Sequence, residues 1–400
     1  MLSQKAKNAV MIGSLCSISY LAVYLVRNIL SAVTPQMVEG GYTEAYIGSI
    51  SALFFTFYAV GQLINGAIGD KIKARWMISI GLLGAGIANF VFSRVTLIPE
   101  AATLAYGLSG FFLSMIYGPM TKVVSENTEP LHATRCSLGY TFASFFGSPS
   151  AGILASFLAW QSVFTVGSAT LITMSVTVFI FFSIFERRGI VKYGQFKTEQ
   201  KGIKNVNVLF KREIVKFSLI SIITGVVRTS VVFWLPTYIA QYLKFSPSDS
   251  AKIFTAATFV ISFTAFIAVF IYERLGCNIN KTLILVFSSS VVFFTLTYFV
   301  KNPILNIICI VIAIMSSNAA ATMLWSRYCP SLRDTGMVSS ATGFLDFLSY
   351  MAAAGANLIF ANAATEIGWS NLILVWLGIV AAGIVVVLPY RKIFANKISS

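Results

Sequence analysis

The sequence predicts an all-α polytopic membrane protein, with twelve transmembrane helices arranged as two pseudo-symmetric bundles of six. Three observations predict it. Of 400 residues, 57% are hydrophobic and only 11% charged, with a mean hydropathy of +0.80, a balance no ordinary soluble domain has. Apolar windows of about twenty residues recur along the chain, each long enough to cross the hydrocarbon as a helix. The second half also echoes the first at an offset near two hundred residues, the weak internal repeat of a chain built from two parallel halves.

In the first half the spans begin near residues 9, 47, 76, 101, 136 and 161; in the second they begin near 214, 251, 282, 303, 336 and 369. The first is too long for a signal peptide, lacks a small-residue cleavage site and carries Arg27, so it is expected to stay in the mature protein. Between the sixth and seventh spans, Glu186 to Glu213 is polar and basic, with Arg187, Arg188, Lys192, Lys197, Lys201, Lys204, Lys211 and Arg212. It reads as a cytoplasmic linker, giving domains at 1–185 and 214–400 joined through 186–213.

Charge sets the expected orientation, because Lys and Arg accumulate on cytoplasmic loops. With both termini cytoplasmic, 23 of the 29 Lys and Arg fall on that side. Arg94, Lys244, Lys252 and Lys301 fall outside, and Arg27 and Arg228 lie within spans. The net charge of +15 is thus topological, and its dispersal over loops argues against a nucleic-acid partner. The expected setting is the inner or plasma membrane.

Cys16, Cys136, Cys277, Cys309 and Cys329 lie singly in or beside different spans, which suggests neither a disulfide framework nor a zinc site. His132 stands alone in a polar loop. No hydrolase or kinase motif occurs, so neither an enzyme nor a cofactor is expected.

Arg27 and Arg228 are the most informative residues. They lie at membrane depth, 201 positions apart. A guanidinium there costs roughly 2.5 to 3.5 kcal/mol on insertion scales, so the pair implies a polar cavity and an anionic ligand. Guanidinium forks match phosphate and carboxylate oxygens bidentately and keep their charge where a lysine can lose its proton. The competing reading, that each arginine pairs with a buried acid, is limited by supply: Asp346 is the one carboxylate at that depth.

After the second span runs Gly66-Ala67-Ile68-Gly69-Asp70-Lys71-Ile72-Lys73-Ala74-Arg75, echoed after the eighth by Tyr272-Glu273-Arg274-Leu275-Gly276. The first run resembles the signature of the major facilitator superfamily, with Lys73 where many members have glycine. The resemblance implies the major facilitator fold, and it implies that Asp70, Lys71, Arg75, Glu273 and Arg274 govern conformational switching. An acid beside basic loop residues can pin helices in one state and release them in the other.

A narrower resemblance rests on Tyr20-x-x-x-Tyr24-Leu25-Val26-Arg27-Asn28, on Arg228 followed by Trp234-Leu235-Pro236-Thr237-Tyr238, and on Gly336 through Tyr350. These look like the organophosphate:phosphate antiporter family, which includes glycerol-3-phosphate and hexose-6-phosphate transporters. It implies that Arg27 and Arg228 hold a substrate phosphate and that a rocker-switch motion alternates the site between faces. Tyr20, Tyr24, Tyr58, Tyr117 and Tyr350 then fall where the family lines its cavity. Tyr20 and Tyr24 lie one helical turn apart on the face that carries Arg27.

Departures from the family pattern accompany the matches. Asn28 and Gln62 replace lysines, Ser144 stands at the position of a histidine, and Asp346 replaces a small residue. Asp346 has three open roles: proton coupling, reception of a cationic or hydroxylated substrate end, or a fixed ion pair with an arginine. The expected function is secondary transport of an organic anion, foremost an organophosphate exchanged for inorganic phosphate, by a monomer. A proton- or sodium-coupled symporter of a carboxylate, sugar acid or phospho-zwitterion is the alternative. A membrane sensor of sugar phosphates is a further one.

Overall fold

The computed structural model describes residues 3–69, 72–193, 207–332 and 338–388. Counting as one helix the segments joined through a bent or π-helical turn, twelve long helices follow one another among the described residues. They are α1 (Gln4–Glu39), α2 (Glu44–Gly69), α3 (Ala74–Phe92), α4 (Pro99–Asn127), α5 (Pro130–Phe157) and α6 (Trp160–Arg187) in the first half. In the second half come α7 (Ile214–Gln241), α8 (Pro247–Arg274), α9 (Ile279–Phe299), α10 (Pro303–Tyr328), α11 (Val338–Glu366) and α12 (Gly368–Val387).

Eleven of them are long and apolar enough to span a bilayer. The remaining one is α5, whose 28 residues give it the length; its sequence carries His132, Thr134, Arg135 and several serines, so it is less apolar. Local chemistry sets the starts. Ser3 Oγ accepts from the Ala6 N–H, and Asn302 Oδ1 accepts from Ile304 and Leu305. Pro99, Pro130 and Pro303 occupy first turns, where a missing N–H removes no helical bond.

The chain forms two compact units. Unit 1 contains 1–201, 232–262 and 353–365. Within it α1 packs along α5, α2 along α4, and α3 along α4 and α6. Close approach depends on small residues, as membrane packing requires where no hydrophobic force drives helices together. Gly147 of α5 lies against Tyr24 of α1, and a Cβ there would come within 2.7 Å of the Tyr24 carbonyl carbon.

Three segments contributed by the second half are built into unit 1: the distal part of α7, the start of α8 and the distal part of α11. Ser31 Oγ donates to the Phe233 carbonyl at 2.6 Å, Asn357 Nδ2 to Ser51 Oγ at 2.7 Å, and Ser248 Oγ to the Ser156 carbonyl at 2.9 Å. Gln241 donates to the Glu44 carboxylate. Gly48 lies under Ala361, the Asn357 carbonyl and Trp234, and Gly152 under Thr255, Ala251 and Phe254. These polar bonds, buried at Ser31 and Asn357 and part-buried at Ser248 and Gln241, seal unit 1 at the end that carries the 40–43 and 158–159 turns.

The expected linker is ordered at its start. After Arg187 the chain reverses at Gly189 (φ 67°), the Ile190 N–H bonds the Phe185 carbonyl at 2.8 Å, and the Lys192 N–H bonds Asn127 Oδ1 at 2.6 Å. Residues 194–206 lie outside the described residues.

Unit 2 contains 202–231, 263–352 and 366–400. Here α9 packs on α10 and α12, with Ser290 Oγ donating to the Ala313 carbonyl at 2.7 Å. The proximal part of α7 crosses α11 at two successive turns: Ser221 Oγ donates to the Leu345 carbonyl at 2.6 Å, and Gly225 is pressed against Ser349, whose Cα would lie 2.8 Å from an added Cβ.

The seal in unit 1 is testable. A Gly48→Val side chain would collide with Ala361 and the Asn357 carbonyl. Hydrogen exchange of the purified protein should then accelerate in 232–241 and 353–365 by about tenfold or more, as local opening becomes cheaper by over a kcal/mol. Unchanged protection would show that the crossing tolerates a side chain.

Candidate functional site

Arg27 sits half-buried on α1 with three aromatic faces around its guanidinium carbon: Tyr58 at 5.0 Å, Tyr24 at 5.5 Å and Phe55 at 5.5 Å from the ring centroids. The sequence builds this arrangement by helical spacing. Tyr24 precedes Arg27 by three residues on α1, and Phe55 and Tyr58 are three apart on α2, so each pair shares a face. A cation over ring faces in a desolvated place gains about 0.5 to 2 kcal/mol each, which offsets part of the burial cost. The guanidinium N–H groups lie in its plane and not along its faces, so stacking leaves the edge chemistry intact for oxyanions.

One turn back, Tyr20 is the hub of a tyrosine cluster, its centroid 4.9 Å from Tyr24, 5.4 Å from Tyr117 and 6.4 Å from Tyr140. Of these, Tyr117 is the exposed one, and Tyr140 is buried with a hydroxyl that has no hydrogen-bond partner. The structure thus brings together Arg27, Tyr20, Tyr24, Tyr58 and Tyr117, all singled out from sequence. Asn28 Nδ2 donates to the Tyr24 carbonyl at 2.6 Å, within its own helix. Gln62 is half-buried one turn beyond Tyr58 on α2. Ser144 lies on α5, with its side chain outside the described residues.

In unit 2, Arg228 occupies a π-helical turn, Val226–Val231, inserted between two α-helical stretches of α7. Such single-turn insertions concentrate at functional sites because the extra residue re-aims a side chain without ending the helix. A run of β-branched residues, Val226, Val227, Thr229, Val231 and Val232, weakens α-helical preference there. The Arg228 guanidinium carbon lies 5.8 Å from the Tyr350 ring, on the turn of α11 that Gly225 meets through Ser349. Asp346 is half-buried on α11, one turn before Tyr350.

The switch candidates divide. Asp70 and Lys71 lie outside the described residues. Arg75 is held at the start of α3 by the end of α6: Nη1 is 3.1 Å from Glu186 Oε2 and 3.3 Å from Ser183 Oγ, with Trp76 and Phe179 rings at 5.4 and 5.6 Å. Tyr193 donates to the other Glu186 oxygen at 2.8 Å. Burial, reinforced by that carboxylate, raises the Tyr193 phenol above its usual range, so it remains a donor. Glu273 and Arg274 are exposed at the end of α8, Arg274 stacking 5.2 Å over Phe270.

Sequence reasoning missed Phe55, Tyr140 and Arg327. Phe55 was signalled by its i,i+3 spacing to Tyr58, and Tyr140 by its place one turn before Ser144. Arg327, counted from sequence as a loop cation, lies on a second π-helical turn, Leu324–Tyr328, with its guanidinium carbon 4.8 Å from the Tyr272 ring.

Comparison with known proteins follows the same lines. Over 256 residues the chain is 23% identical to the glycerol-3-phosphate transporter of Bacillus subtilis, a match covering 58% of each chain. A membrane sensor protein of Salmonella typhimurium is 30% identical over 96 residues, 24% of this chain and 22% of that protein. A probable hexose phosphate transport protein of Chlamydia trachomatis is 24% identical over 110 residues, 27% of this chain and 24% of that protein. These matches thus span 58% or less of the relatives' own lengths. Among solved structures, a nucleoside transporter superposes with a TM-score of 0.72 at 14% identity, covering 97% of this chain and 99% of that one. A D-xylose–proton symporter gives 0.71 at 11% identity, covering 94% and 96%. Residues 16–356 match the Major Facilitator Superfamily. The chain is a multi-pass membrane protein that belongs to the Major Facilitator Superfamily.

Proposed function

We propose that the protein is a secondary transporter of an organic anion, an organophosphate exchanged for inorganic phosphate, in which Arg27 and Arg228 hold the anionic group. One observation carries the reading: two guanidinium groups at membrane depth, each set against aromatic rings, one of them on a π-helical turn. Relatives named for glycerol-3-phosphate and hexose phosphate support the phosphorylated substrate. In this reading the bundles 1–185 and 214–400 rock about the 186–213 linker. Both termini are cytoplasmic, the membrane is the inner or plasma membrane, and the working unit is a monomer. Tyr20, Tyr24, Tyr58, Tyr117, Tyr350, Asn28, Gln62 and Ser144 line the path.

Lysine keeps the charge but loses the fork. Arg27→Lys and Arg228→Lys should each lower phosphate counterflow in proteoliposomes by about tenfold or more, at near-normal yield and thermal stability. Near wild-type exchange by Arg228→Lys would rule out bidentate binding. The sensor relative supports a second reading, a sugar-phosphate sensor that binds without moving its ligand. Absence of counterflow in wild-type protein that binds phosphate would establish it.

Asp346 decides between exchange and coupled symport. As a proton coupler, its Asn variant would lose uphill pH-driven uptake and keep equilibrium exchange. As a receptor for a cationic or hydroxylated substrate end, Asp346→Asn would weaken that substrate and spare plain phosphate. As the partner of an arginine, it would leave a buried charge uncompensated, lowering stability and tightening phosphate binding. Wild-type behaviour in all three assays would remove Asp346 from the mechanism.

Arg75 is assigned to switching, because it joins the start of α3 to the end of α6 and the first linker residues. Arg75→Gln removes the ion pair and leaves Glu186 partly buried with Tyr193 alone. Exchange should slow several-fold at unchanged equilibrium affinity for phosphate. A large loss of affinity at normal turnover would place Arg75 at the ligand instead.

A further inference from the structure

The crossing that seals unit 1 leaves three polar atoms dry. Trp234 Nε1 and Thr237 Oγ1 on α7 and Asn357 Oδ1 on α11 are buried with no hydrogen-bond partner among the described residues. Trp234, Thr237, Asn357 and the neighbouring Ser51 of α2 are each 0% exposed. The atoms share one place. Asn357 Nδ2 donates to Ser51 Oγ at 2.7 Å, which fixes the other end of the same amide beside it. Gly48, one turn before Ser51, would bring an added Cβ to 2.9 Å from the Asn357 carbonyl and 3.6 Å from Trp234 Cζ2, which adjoins the carbon that bears Nε1. Thr237 follows Trp234 by three residues, on the same face of α7.

Buried polar groups are ordinarily paired, because one that gives up water and gains no partner opposes its own burial. Here opening the crossing would return three such atoms to water, so each favours the open arrangement over the closed one. Other contacts hold it shut. Ser31 donates to the Phe233 carbonyl, Asn357 to Ser51, and Gly48 lets α11 and α7 approach α2. The α7 ladder is weak on both sides of Trp234, with the π-helical turn Val226–Val231 before it and Pro236 after it. Thr34 of α1 is the contrast. It is as buried as Thr237, but its hydroxyl donates to the Leu30 carbonyl at 2.6 Å, a bond within its own helix that opening would leave intact.

We propose that this crossing is a gate, and that Trp234, Thr237 and Asn357 are positioning residues that poise it to open by carrying polar atoms that are dry only while it is closed. The use of the gate in transport rests on the transport reading; its poise rests on the three dry atoms. A crossing built only to be shut would carry valine or leucine at these places.

Thr237→Val tests the poise, because it keeps the shape of the side chain and removes the dry hydroxyl. Hydrogen exchange of the purified full chain in 232–241 and 353–365 should slow about tenfold. Thr237→Ser keeps the hydroxyl and should not slow exchange, and Thr34→Val should change it less than about twofold. In proteoliposomes Thr237→Val should lower phosphate counterflow several-fold at unchanged equilibrium affinity for phosphate, a split that better packing alone would not produce. Unchanged or faster hydrogen exchange in Thr237→Val would overturn the proposal, the faster result showing that the hydroxyl is bridged by a buried water. Slower hydrogen exchange with wild-type counterflow would overturn the gate. Were the wild-type protein to show no counterflow, the transport reading would fail, and the hydrogen-exchange result would still decide whether the dry atoms poise the crossing.

Discussion

The structure depends on keeping two guanidinium charges where the sequence leaves almost nothing ionic to meet them. Water and lipid headgroups solvate an arginine near a helix end, but not at mid-span. Around Arg27 the chain supplies ring faces, an electrostatic partner that is itself apolar and so costs nothing to bury. Ring faces meet a cation without adding a charge of their own.

The two arginines are mounted differently. On α1 the helix is regular, and position comes from a glycine contact that lets α5 approach Tyr24. On α7 the backbone itself is altered, by a π-helical turn beside the tight Gly225–Ser349 crossing. A π turn is a local register change that can be gained or lost without unfolding the helix, which suits the hold-and-release role proposed for Arg228. The related turn at Arg327 shows that the same backbone device recurs on α10.

Much of this was legible in the sequence, and the reasons are specific. Helix number and the arginine pair follow from hydropathy and depth, which are additive along the chain. Tyr20, Tyr24 and Tyr58 follow from helical spacing to Arg27 or from family resemblance. Phe55 escaped because nothing distinguishes one phenylalanine among 34 until its helix is rotated against α1. Arg327 escaped because a cation near a helix end reads as a loop residue. For Asn28, expected from sequence at the substrate, the structure adds an amide bond to a carbonyl one turn back, a local contact no pattern reveals. The segments of the second half that join unit 1 were also hidden, since hydropathy does not say which helix ends meet.

Equilibrium binding of radiolabelled inorganic phosphate to the purified wild-type protein tests the anion site most directly. The account predicts one saturable phosphate per chain, displaced by sugar phosphates and glycerol phosphate at lower concentrations than by sugar acids of the same carbon number. No saturable phosphate binding, or stronger displacement by the sugar acids, would contradict it.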